Sequence, residues 1–335
     1  MTKRILIITE RADVHADLVA DRILAKGHRP FRLNLDEFPA RFSLDLRFAD
    51  GAWTGSLLHQ PSGDTLWLSD IGAVWTRKPA EFAFDSEDLG AQEKAYASEE
   101  TEHVLLSLLH SLSCFWMSHP IAARAAQWKG EQLLRAAAMG FEVPRSLIAN
   151  RPEPVLQFRH AEGGDIIFKT LASPYLGADK VSPDECVAVG IATTRITDEY
   201  VAMIDGIGEV PCFFQTHIPK QFEVRVTVIG DRAYSAKILS QSDPRTVTDF
   251  REFSVAIPYE AFTLPEDVER RCIAFVHSYG LSYGALDLIV TPQGDYVFLE
   301  NNPGGQFLFV EQLVPELKLT DAVAERLIQG AADGR

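Results

Sequence analysis

The sequence has 335 residues, of which 46% are hydrophobic and 24% charged, and its formal net charge at pH 7 is −15. This composition is typical of a soluble globular protein large enough for two or three domains, and the negative charge, without any basic run, argues against binding to a nucleic-acid backbone. The four cysteines lie far apart with no CxxC pair, so we expect neither a disulfide framework nor a zinc site, and a reducing, cytoplasmic location fits best.

The N-terminal third alternates strands and helices in the manner of an α/β protein. The run RILIIT at 4–9 predicts a first buried strand rather than a signal peptide, since the apolar stretch is short and no cleavage site follows it. An amphipathic helix is predicted at 13–26, followed by a second strand in PFRLNLDEF. The predicted buried face of the helix is Val14, Leu18, Val19 and Ile23. No segment has the roughly 18 to 20 apolar residues that cross a bilayer.

Residues 42–67 predict a β-hairpin, because the alternating runs FSLDLRF and GAWTGSLL are joined at Asp50-Gly51, a preferred turn. The strand in IGAVWTRKP ends at Arg77 and Lys78, which are either ligand contacts at the edge of an open α/β sheet or two solvated basic residues. A helix is predicted at 85–110, a short strand or turn in SCFWMSHP, and a second helix at 123–140. We place the first domain boundary near Pro120.

The rest of the chain predicts strands joined by tight turns. FEVPRSLI and GGDIIFKTL each predict a strand, the second carrying Lys169, and a loop at 172–185 follows, rich in glycine, proline and small polar residues. EVPCFFQTHI predicts another strand, and FEVRVTVIGDRAYSAKIL predicts a hairpin that turns at Gly230-Asp231. GALDLIVTPQGDYVFLE repeats the hairpin pattern around 292–294.

Polar side chains end the last of these strands, in the stretch ENNP. Asp287 lies about six residues before the turn and Glu300 about seven after it, so the two carboxylates should lie side by side in an antiparallel pair, with Asn302 on the face of Glu300. Adjacent carboxylates repel each other unless a cation lies between them, and two carboxylates with an amide oxygen suit Mg²⁺ beside a nucleotide's phosphates. The alternative is that Glu300 and Asn302 cap the strand and satisfy turn amides.

The order of these motifs resembles the ATP-grasp superfamily over residues 120–310. The matching elements are AAQWKGEQL with Lys129, IIFKTL with Lys169, FFQTHI before FEVRVTVIG with Arg225, GALDLI with Asp287, and FLENNPGGQ with Glu300 and Asn302. Over nearly the whole chain, VWTRKP, CFWMSHP, FQTHIPKQFEVRVTVIGD, TDFREF and NPGGQFLFVEQL are similar to the microviridin-type ligases, the ribosomal-peptide maturases that make graspetides. Two positions depart from that pattern: Thr216 stands where an acidic hinge residue is common, and Phe250 where Trp is common.

The resemblance implies an ATP-grasp fold of the α/β (α+β) class in three parts. These are a pre-ATP-grasp domain at 1–120, a central lid subdomain at 121–210 that docks a leader peptide, and a C-terminal antiparallel-sheet subdomain at 211–335 with the hinge and metal site. The implied site residues are Lys129 and Lys169 for the phosphates of ATP; main-chain groups of Gln215, Thr216, His217 and Ile218 for adenine; Glu223 for ribose; Arg225 as the catalytic arginine, with Lys237 and Arg251 as further cations; and Asp287, Glu300 and Asn302 for Mg²⁺. Arg77 is expected to meet the peptide. The competing interpretations are an exposed lysine at Lys129, a solvated carboxylate at Glu223 and a structural salt bridge at Arg225.

The same resemblance implies an ADP-forming ligase that converts Asp or Glu side chains of a ribosomal precursor peptide to acyl phosphates and joins them to Ser, Thr or Lys side chains. The partners implied are the precursor peptide and a second copy of the chain, with no nucleic acid and no membrane. Two alternatives remain open: a ligase that adds amino acids to a peptide or protein tail, and a non-catalytic nucleotide- or peptide-binding protein. Hydrolase and P-loop chemistry are not supported, because the sequence has neither GxSxG nor GxxxxGK[ST].

Overall fold

A computed structural model describes residues 3–78, 80–172, 190–252 and 254–333. Its strands are β1 (Arg4–Thr9), β2 (Pro30–Asn34), β3 (Phe42–Ala49), β4 (Ala52–His59), β5 (Asp64–Trp67), β6 (Ile71–Thr76), β7 (Phe115–Trp116), β8 (Ser146–Ala149), β9 (Ile166–Lys169), β10 (Thr194–Arg195), β11 (Cys212–Thr216), β12 (Phe222–Ile229), β13 (Arg232–Ile238), β14 (Tyr259–Phe262), β15 (Tyr283–Val290) and β16 (Tyr296–Asn302). Its helices are α1 (Val14–Ala25), α2 (Ala91–His110), α3 (Pro120–Ala125), α4 (Lys129–Ala138), α5 (Pro152–Ala161), α6 (Asp198–Val201), α7 (Glu266–His277), α8 (Leu308–Leu313) and α9 (Leu319–Asp333). The loop predicted at 172–185 lies, apart from Ala172, outside the described residues.

The first sheet is parallel and has the strand order β2-β1-β6-β7. β1 is buried along its whole length, which confirms the strand predicted from RILIIT. α9 packs against α1 and β6, and its residues Val323 and Leu327 share one core with Ile5 and Ile7 of β1. Helix α9 therefore covers a sheet whose first strand begins at the opposite end of the chain.

The buried face of α1 differs from the predicted one. Val19 and Ile23 are buried, but Val14 is 56% and Leu18 is 40% exposed. His15 is buried in their place, and its Nε2 accepts hydrogen bonds from the main-chain N–H groups of Phe307 and Leu308, each at 3.4 Å. A polar contact with a distant segment thus sets the rotation of the helix, which an apolar pattern does not show.

Strands β3, β4 and β5 form a separate antiparallel sheet, as the hairpin prediction requires for β3 and β4. The turn residues Asp50 and Gly51 have φ angles of 53° and 79°. Positive φ at both central positions is the condition of the hairpin turn that favours Asp-Gly. The predicted turn is therefore confirmed.

The helical predictions around the first domain boundary need two corrections. The helix predicted at 85–110 begins only at Ala91, after a non-helical acidic segment. The single helix predicted at 123–140 is two helices, α3 and α4, separated at 126–128. At this break Gln132 Nε2 donates to the carbonyl oxygen of Ala126 at 2.6 Å, which satisfies a group that a continuous helix would pair internally. The break places Lys129 in the first turn of α4.

Two further sheets enclose the region of the predicted site. The second sheet has the order β10-β9-β11-β8, and the third has the order β14-β13-β12-β15-β16. The hairpins predicted at Gly230-Asp231 and around 292–294 are confirmed by the antiparallel pairs β12–β13 and β15–β16. The division at 120 and 210 stays a prediction, and β11 pairs within the second sheet although it follows the predicted boundary at 210. Among the described residues, no helix combines the length and the apolar character that crossing a membrane requires.

Candidate active site

Most of the predicted site residues line one narrow cleft between the second and third sheets. They are Lys169, Gln215, Thr216, His217, Ile218, Glu223, Arg251, Asp287 and Glu300. Lys129, Arg225 and Asn302 contact members of this set directly, as described below, and Lys237 does not. Residues that are scattered over the sequence are thus gathered by strand pairing into one cluster of charge.

The two predicted metal-binding carboxylates are neighbours. Asp287 of β15 pairs with Glu300 of β16 across the sheet, with a register shift after Asp287, and the two residues are 7% and 5% exposed. Asn302 Nδ2 lies 3.4 Å from Asp287 Oδ2, so the amide lies beside the same pair. The predicted juxtaposition is confirmed, and the carboxylates are too deeply buried to be only a strand cap.

Each carboxylate has its own cations. Arg225 Nη1 donates to both oxygens of Asp287, at 2.8 and 3.0 Å. Lys129 Nζ lies 3.1 Å from Glu300, and Arg251 Nη1 lies 3.7 Å from it. Burial raises the pKa of Asp287 despite Arg225. Although burial also opposes ionisation of Glu300, the cations of Lys169 and Lys129 lower its pKa to about 2.

The two predicted phosphate-binding lysines approach the cluster from different elements. Lys129, in the first turn of α4, donates from Nζ to the carbonyl oxygen of Thr170 at 2.9 Å, so it is not the freely exposed lysine of the alternative interpretation. Lys169 ends β9, where burial lowers its pKa and Glu300 partly offsets that effect. The ammonium group of Lys169 is costly to bury, and it lies where the carboxylate of Glu300 supplies compensating negative charge.

The predicted hinge lies in and just after β11. The N–H groups of Thr216 and His217 already donate to the carbonyl oxygens of Arg145 and Asp165, at 2.9 and 3.0 Å. Within the described part of the chain, the N–H of Ile218 has no backbone acceptor. Among the predicted hinge residues Thr216, His217 and Ile218, Ile218 is therefore the one whose main-chain N–H is not used by another described backbone group.

Glu223 is not the solvated strand residue of the alternative interpretation. It is 4% exposed and accepts from Lys220 Nζ at 2.9 Å. The same ammonium group donates to the carbonyl oxygen of Thr248 at 2.9 Å. Burial raises the pKa of Glu223, and Lys220 opposes this shift. The carboxylate is held at the cleft by a lysine that the sequence analysis did not single out.

Lys237 is a correction to the predicted set. It pairs across the sheet with Val224, whereas Arg225 pairs with Ala236, so Lys237 and Arg225 lie on opposite faces of the third sheet. Lys237 Nζ lies 3.5 Å from Glu260 and 4.8 Å from the ring centroid of Phe222. The structure therefore does not bring it to the site.

Gln132 is a buried site residue that the sequence analysis missed. Its Nε2 donates to the carbonyl oxygen of Asn301 at 2.8 Å, and its Oε1 accepts from the N–H of Asn301 at 2.8 Å. The amide thereby fastens α4, which carries Lys129, to β16, which carries Glu300. A glutamine among the apolar positions of a helix was the available signal.

We expect Gln132→Leu to destabilise the protein by about 1–3 kcal/mol for each buried backbone group that loses its partner. The KM for ATP should also rise, because Lys129 and Glu300 lose their common anchor. Chemical denaturation and steady-state kinetics measure the two effects. Gln127→Leu, at an exposed position just before α4, should change neither. Equal stability of the two variants would contradict this role.

A second feature that the sequence analysis did not predict is the contact of the segment 303–306 with Arg225. Arg225 Nη2 donates to the carbonyl oxygen of Gln306 at 3.3 Å. A Cβ at Gly305 would lie 2.9 Å from Arg225 Nη2 and 2.7 Å from the Cβ of Ala285. Only glycine allows this approach, which explains one of the two glycines after the proline.

The N-terminal sheet holds the same segment from the other side. Arg77 Nη1 donates to the carbonyl oxygen of Gly304 at 3.3 Å, and Arg77 Nε lies 3.4 Å from Asp13 Oδ2. Asp13 also caps α1 by accepting from the N–H of His15 at 3.1 Å. The side chain of Arg77 is 3% exposed, so it is not a solvated basic residue. It therefore links Asp13, at the start of α1, to the main chain of the segment that touches Arg225.

This network predicts a pH dependence of stability. Burial lowers the pKa of His15 from its usual 6.5 although Asp13 opposes the shift; Arg77 and Lys78 add to it. Below pH 6.5 the unfolded chain binds the proton more readily than the folded protein, so stability falls by up to about 1.4 kcal/mol per unit of pKa shift. Melting temperatures measured at about pH 5 and 7.5, on either side of the usual pKa of histidine, test this loss of stability. His15→Gln, which keeps an acceptor but does not titrate, should lose less stability in acid; an equal loss would refute the assignment.

Comparison with known proteins places this geometry in context. Residues 4–124 match the family model described as the MvdD pre-ATP grasp domain. No curated protein matches the chain at a significant level. The macrocyclase MdnC of Microcystis aeruginosa MRC, solved with its precursor peptide MdnA, is 28% identical and has a TM-score of 0.83, with 97% of this chain and 99% of that chain covered.

Two further solved structures are similar over almost their whole length. A RiPP-associated ATP-grasp ligase of Chryseobacterium gregarium, in complex with ADP and a leader and core peptide, is 29% identical with a TM-score of 0.87, covering 98% of this chain and 97% of that chain. The macrocyclase MdnB of Microcystis aeruginosa MRC is 27% identical with a TM-score of 0.75, covering 97% and 99%. The chain therefore has the ATP-grasp fold that the order of its motifs predicted.

Proposed function

Because this chain is an ATP-grasp ligase with an MvdD-type N-terminal domain, we propose that it converts Asp or Glu side chains of a ribosomal precursor peptide to acyl phosphates and joins them to Ser, Thr or Lys side chains, which forms ester or amide macrocycles. The observation that supports this most directly is the buried set of Arg225, Asp287 and Glu300 with its lysines. Such a set suits the transfer of a phosphoryl group to a carboxylate, where positioning and charge neutralisation are the main tasks.

The residues present fit a nucleotide with Mg²⁺. Arg225 Nε is a buried donor with no partner among the described residues, so an incoming phosphate oxygen would satisfy it. Among those residues no group of three or more His, Cys, Asp or Glu forms a metal site, so the ion would rely on Asp287, Glu300, the Asn302 amide oxygen and phosphate oxygens. Bound there, Mg²⁺ would neutralise charge that develops on the phosphates.

The chain's own residues divide the work in the proposed reaction. Lys129 and Lys169 bind the phosphates, Ile218 donates to adenine and Glu223 accepts from ribose. A substrate carboxylate displaces ADP at the γ-phosphorus, and the hydroxyl or amine of the second side chain then attacks the acyl carbon, expelling phosphate and losing its proton. Arg225 stabilises the charge on the transferring phosphoryl group and on the oxyanion of that attack. Arg251, bound to Asp249 at 2.9 Å, adds a cation at Glu300.

The experiment is mass spectrometry of the precursor peptide encoded beside the gene, incubated with the protein, ATP and Mg²⁺. Each ring should lower the peptide mass by about 18 Da, the water lost on condensation. Lys169→Met, which removes a phosphate contact, is the inactive control. A gain of one amino-acid residue in mass would instead indicate a ligase that extends a tail. ADP binding without any peptide product would indicate a non-catalytic binding protein.

The proposal includes the assembly and its location. We place the leader segment of the peptide on the central subdomain around β8 to β10, and we propose a homodimer in the cytoplasm. Ile148 of β8 is 52% exposed and gives the leader an apolar contact on this sheet. Light scattering of the purified protein tests the dimer, and Ile148→Asp should weaken binding of a labelled leader peptide.

A further inference from the structure

A second and much larger cleft lies on the N-terminal side of the candidate active site. It has a volume of about 1250 Å³ and runs between the end of β6, the helix α2 and the start of α3. Pockets for small molecules measure roughly 300–1,000 Å³, so this cleft is larger than one such ligand requires. It suits a segment of extended chain better than a compact metabolite.

The walls of the cleft are apolar and incompletely covered. Phe82, Phe84 and Trp116 line it and are only half-buried, and Leu105 and Leu109 of α2 form the wall behind them. Partly open aromatic rings that face a common space are typical of a surface that binds a partner. The interior of the cleft thus offers a place for a large apolar side chain.

The charged residues at the edge of the cleft do not favour a ligand of one sign of charge. Lys94 and Arg124 line the cleft together with Glu99 and Glu102. A cleft with balanced charges outside and aromatic groups inside recognises its ligand by an apolar anchor rather than by long-range attraction. This excludes a polyanion such as a nucleic acid as the favoured occupant.

The cleft ends beside the segment 303–306, whose Gln306 carbonyl oxygen accepts from Arg225. Arg77, Tyr283 and Gly304 line this end. Tyr283 donates from its hydroxyl to the carbonyl oxygen of Gly305 at 2.6 Å, and a Cβ at Gly305 would lie 2.9 Å from Arg225 Nη2. A chain that lies in the cleft would therefore leave it next to the arginine, Asp287 and the proposed metal site.

We propose that this cleft binds the core segment of the precursor peptide, with a large apolar side chain of that segment seated among Phe82, Leu105, Leu109 and Trp116. The adjoining residue of the peptide then carries its carboxylate past Arg77 to Arg225. The inference rests on the proposed function for the identity of the peptide. It adds a requirement for the substrate: an aromatic or branched apolar residue close to the ring-forming carboxylate.

The test fills the cleft without touching the residues that bind nucleotide. Ser98 of α2 lines the cleft and is half-buried, whereas Val104 on the same helix is 47% exposed and does not line it. Ser98→Trp is compared with Val104→Trp, and a second pair, Leu106→Glu and Val104→Glu, serves if the first fails to fold. Each protein is tested for ADP affinity, for the affinity of the fluorescein-labelled precursor peptide and for ring formation.

We expect Ser98→Trp to keep the ADP affinity and melting temperature of the wild type while the KM for the peptide rises about 10- to 100-fold, the loss expected when one apolar side chain is displaced. Val104→Trp should match the wild type. In a second series, each large apolar residue of the peptide's core segment is replaced by Ser in turn. With the wild-type protein, the replacement at one position should raise the KM for the peptide as Ser98→Trp does. With Ser98→Trp, the same peptide replacement should raise the KM no further.

The outcomes distinguish the proposal that the cleft binds the peptide from the proposal that the protein forms rings in it. Normal ring formation by Ser98→Trp would overturn the cleft assignment and leave the proposed function intact. Peptide binding by the wild type without ring formation, weakened by Ser98→Trp, would support the cleft and contradict the reaction. A wild type that neither binds nor modifies the peptide would overturn both.

Discussion

Replacing Glu300 with Gln should reduce peptide modification by about a thousandfold or more, because the variant loses a ligand of the proposed Mg²⁺ site and the charge that orders its lysines. The same substitution should not abolish nucleotide binding. In the protein without nucleotide, Glu300 neutralises Lys129 and Arg251 at 3.1 and 3.7 Å. Without the carboxylate these cations are released for phosphate oxygens.

The effect of Glu300→Gln on the affinity for ADP should therefore depend on whether Mg²⁺ is present. In calorimetric titrations with ADP in EDTA, the variant should bind ADP as tightly as the wild type or more tightly. In titrations with ADP in the presence of Mg²⁺, the variant should bind ADP more weakly than the wild type. Glu260→Gln is the matched control, since Glu260 is a carboxylate of the same sheet that pairs with Lys237 on the other face. Equal Mg²⁺ dependence of ADP binding in wild type and Glu300→Gln would exclude Glu300 as a metal ligand.

Arg225→Ala should be the most destabilising single change in the site, at about 3–5 kcal/mol, because it leaves the carboxylate of Asp287 buried without its bidentate partner. Asp287 is 7% exposed, and Arg225 Nη1 forms its salt bridge at 2.8 Å. Ring formation should also fall below detection, since the guanidinium that stabilises the phosphoryl group is gone.

A double-mutant cycle separates the two roles of Arg225. Arg225→Ala/Asp287→Ala should be less destabilised than Arg225→Ala alone, since neither charge is then buried without a partner. It should be no more active. Arg232→Ala, at an exposed arginine of the neighbouring strand, should change the free energy of unfolding by less than about 0.5 kcal/mol. If the single and double variants unfold at the same denaturant concentration, the buried ion pair is not the source of the stability.

The juxtaposition of Asp287 and Glu300 was predictable because it depends only on local information. A tight turn fixes antiparallel pairing, and counting from the turn fixes which residues face each other. The same counting would have corrected Lys237. A two-residue turn at Gly230-Asp231 pairs Ile229 with Arg232, and this register places Lys237 opposite Val224 rather than opposite Arg225.

Other features depend on contacts between distant segments and leave little trace in a local pattern. The break between α3 and α4 exists because Gln132 satisfies the carbonyl of Ala126 and both main-chain groups of Asn301. The buried face of α1 follows from the hydrogen bonds of His15 with the start of α8. In both cases a polar side chain pairs with backbone far along the chain, which helical periodicity does not encode.

The packing of α9 on the first sheet has a consequence for the order of synthesis. β1 is synthesised before α9, whose Val323 and Leu327 complete its core. At Gly330 the helix backbone lies so near the ring of Phe115 that a Cβ there would overlap the ring, so β7 also packs fully only after this helix has formed. The apolar face of the nascent first domain therefore stays open until α9 has been synthesised, and a fragment cut near residue 124 would expose that face permanently and aggregate.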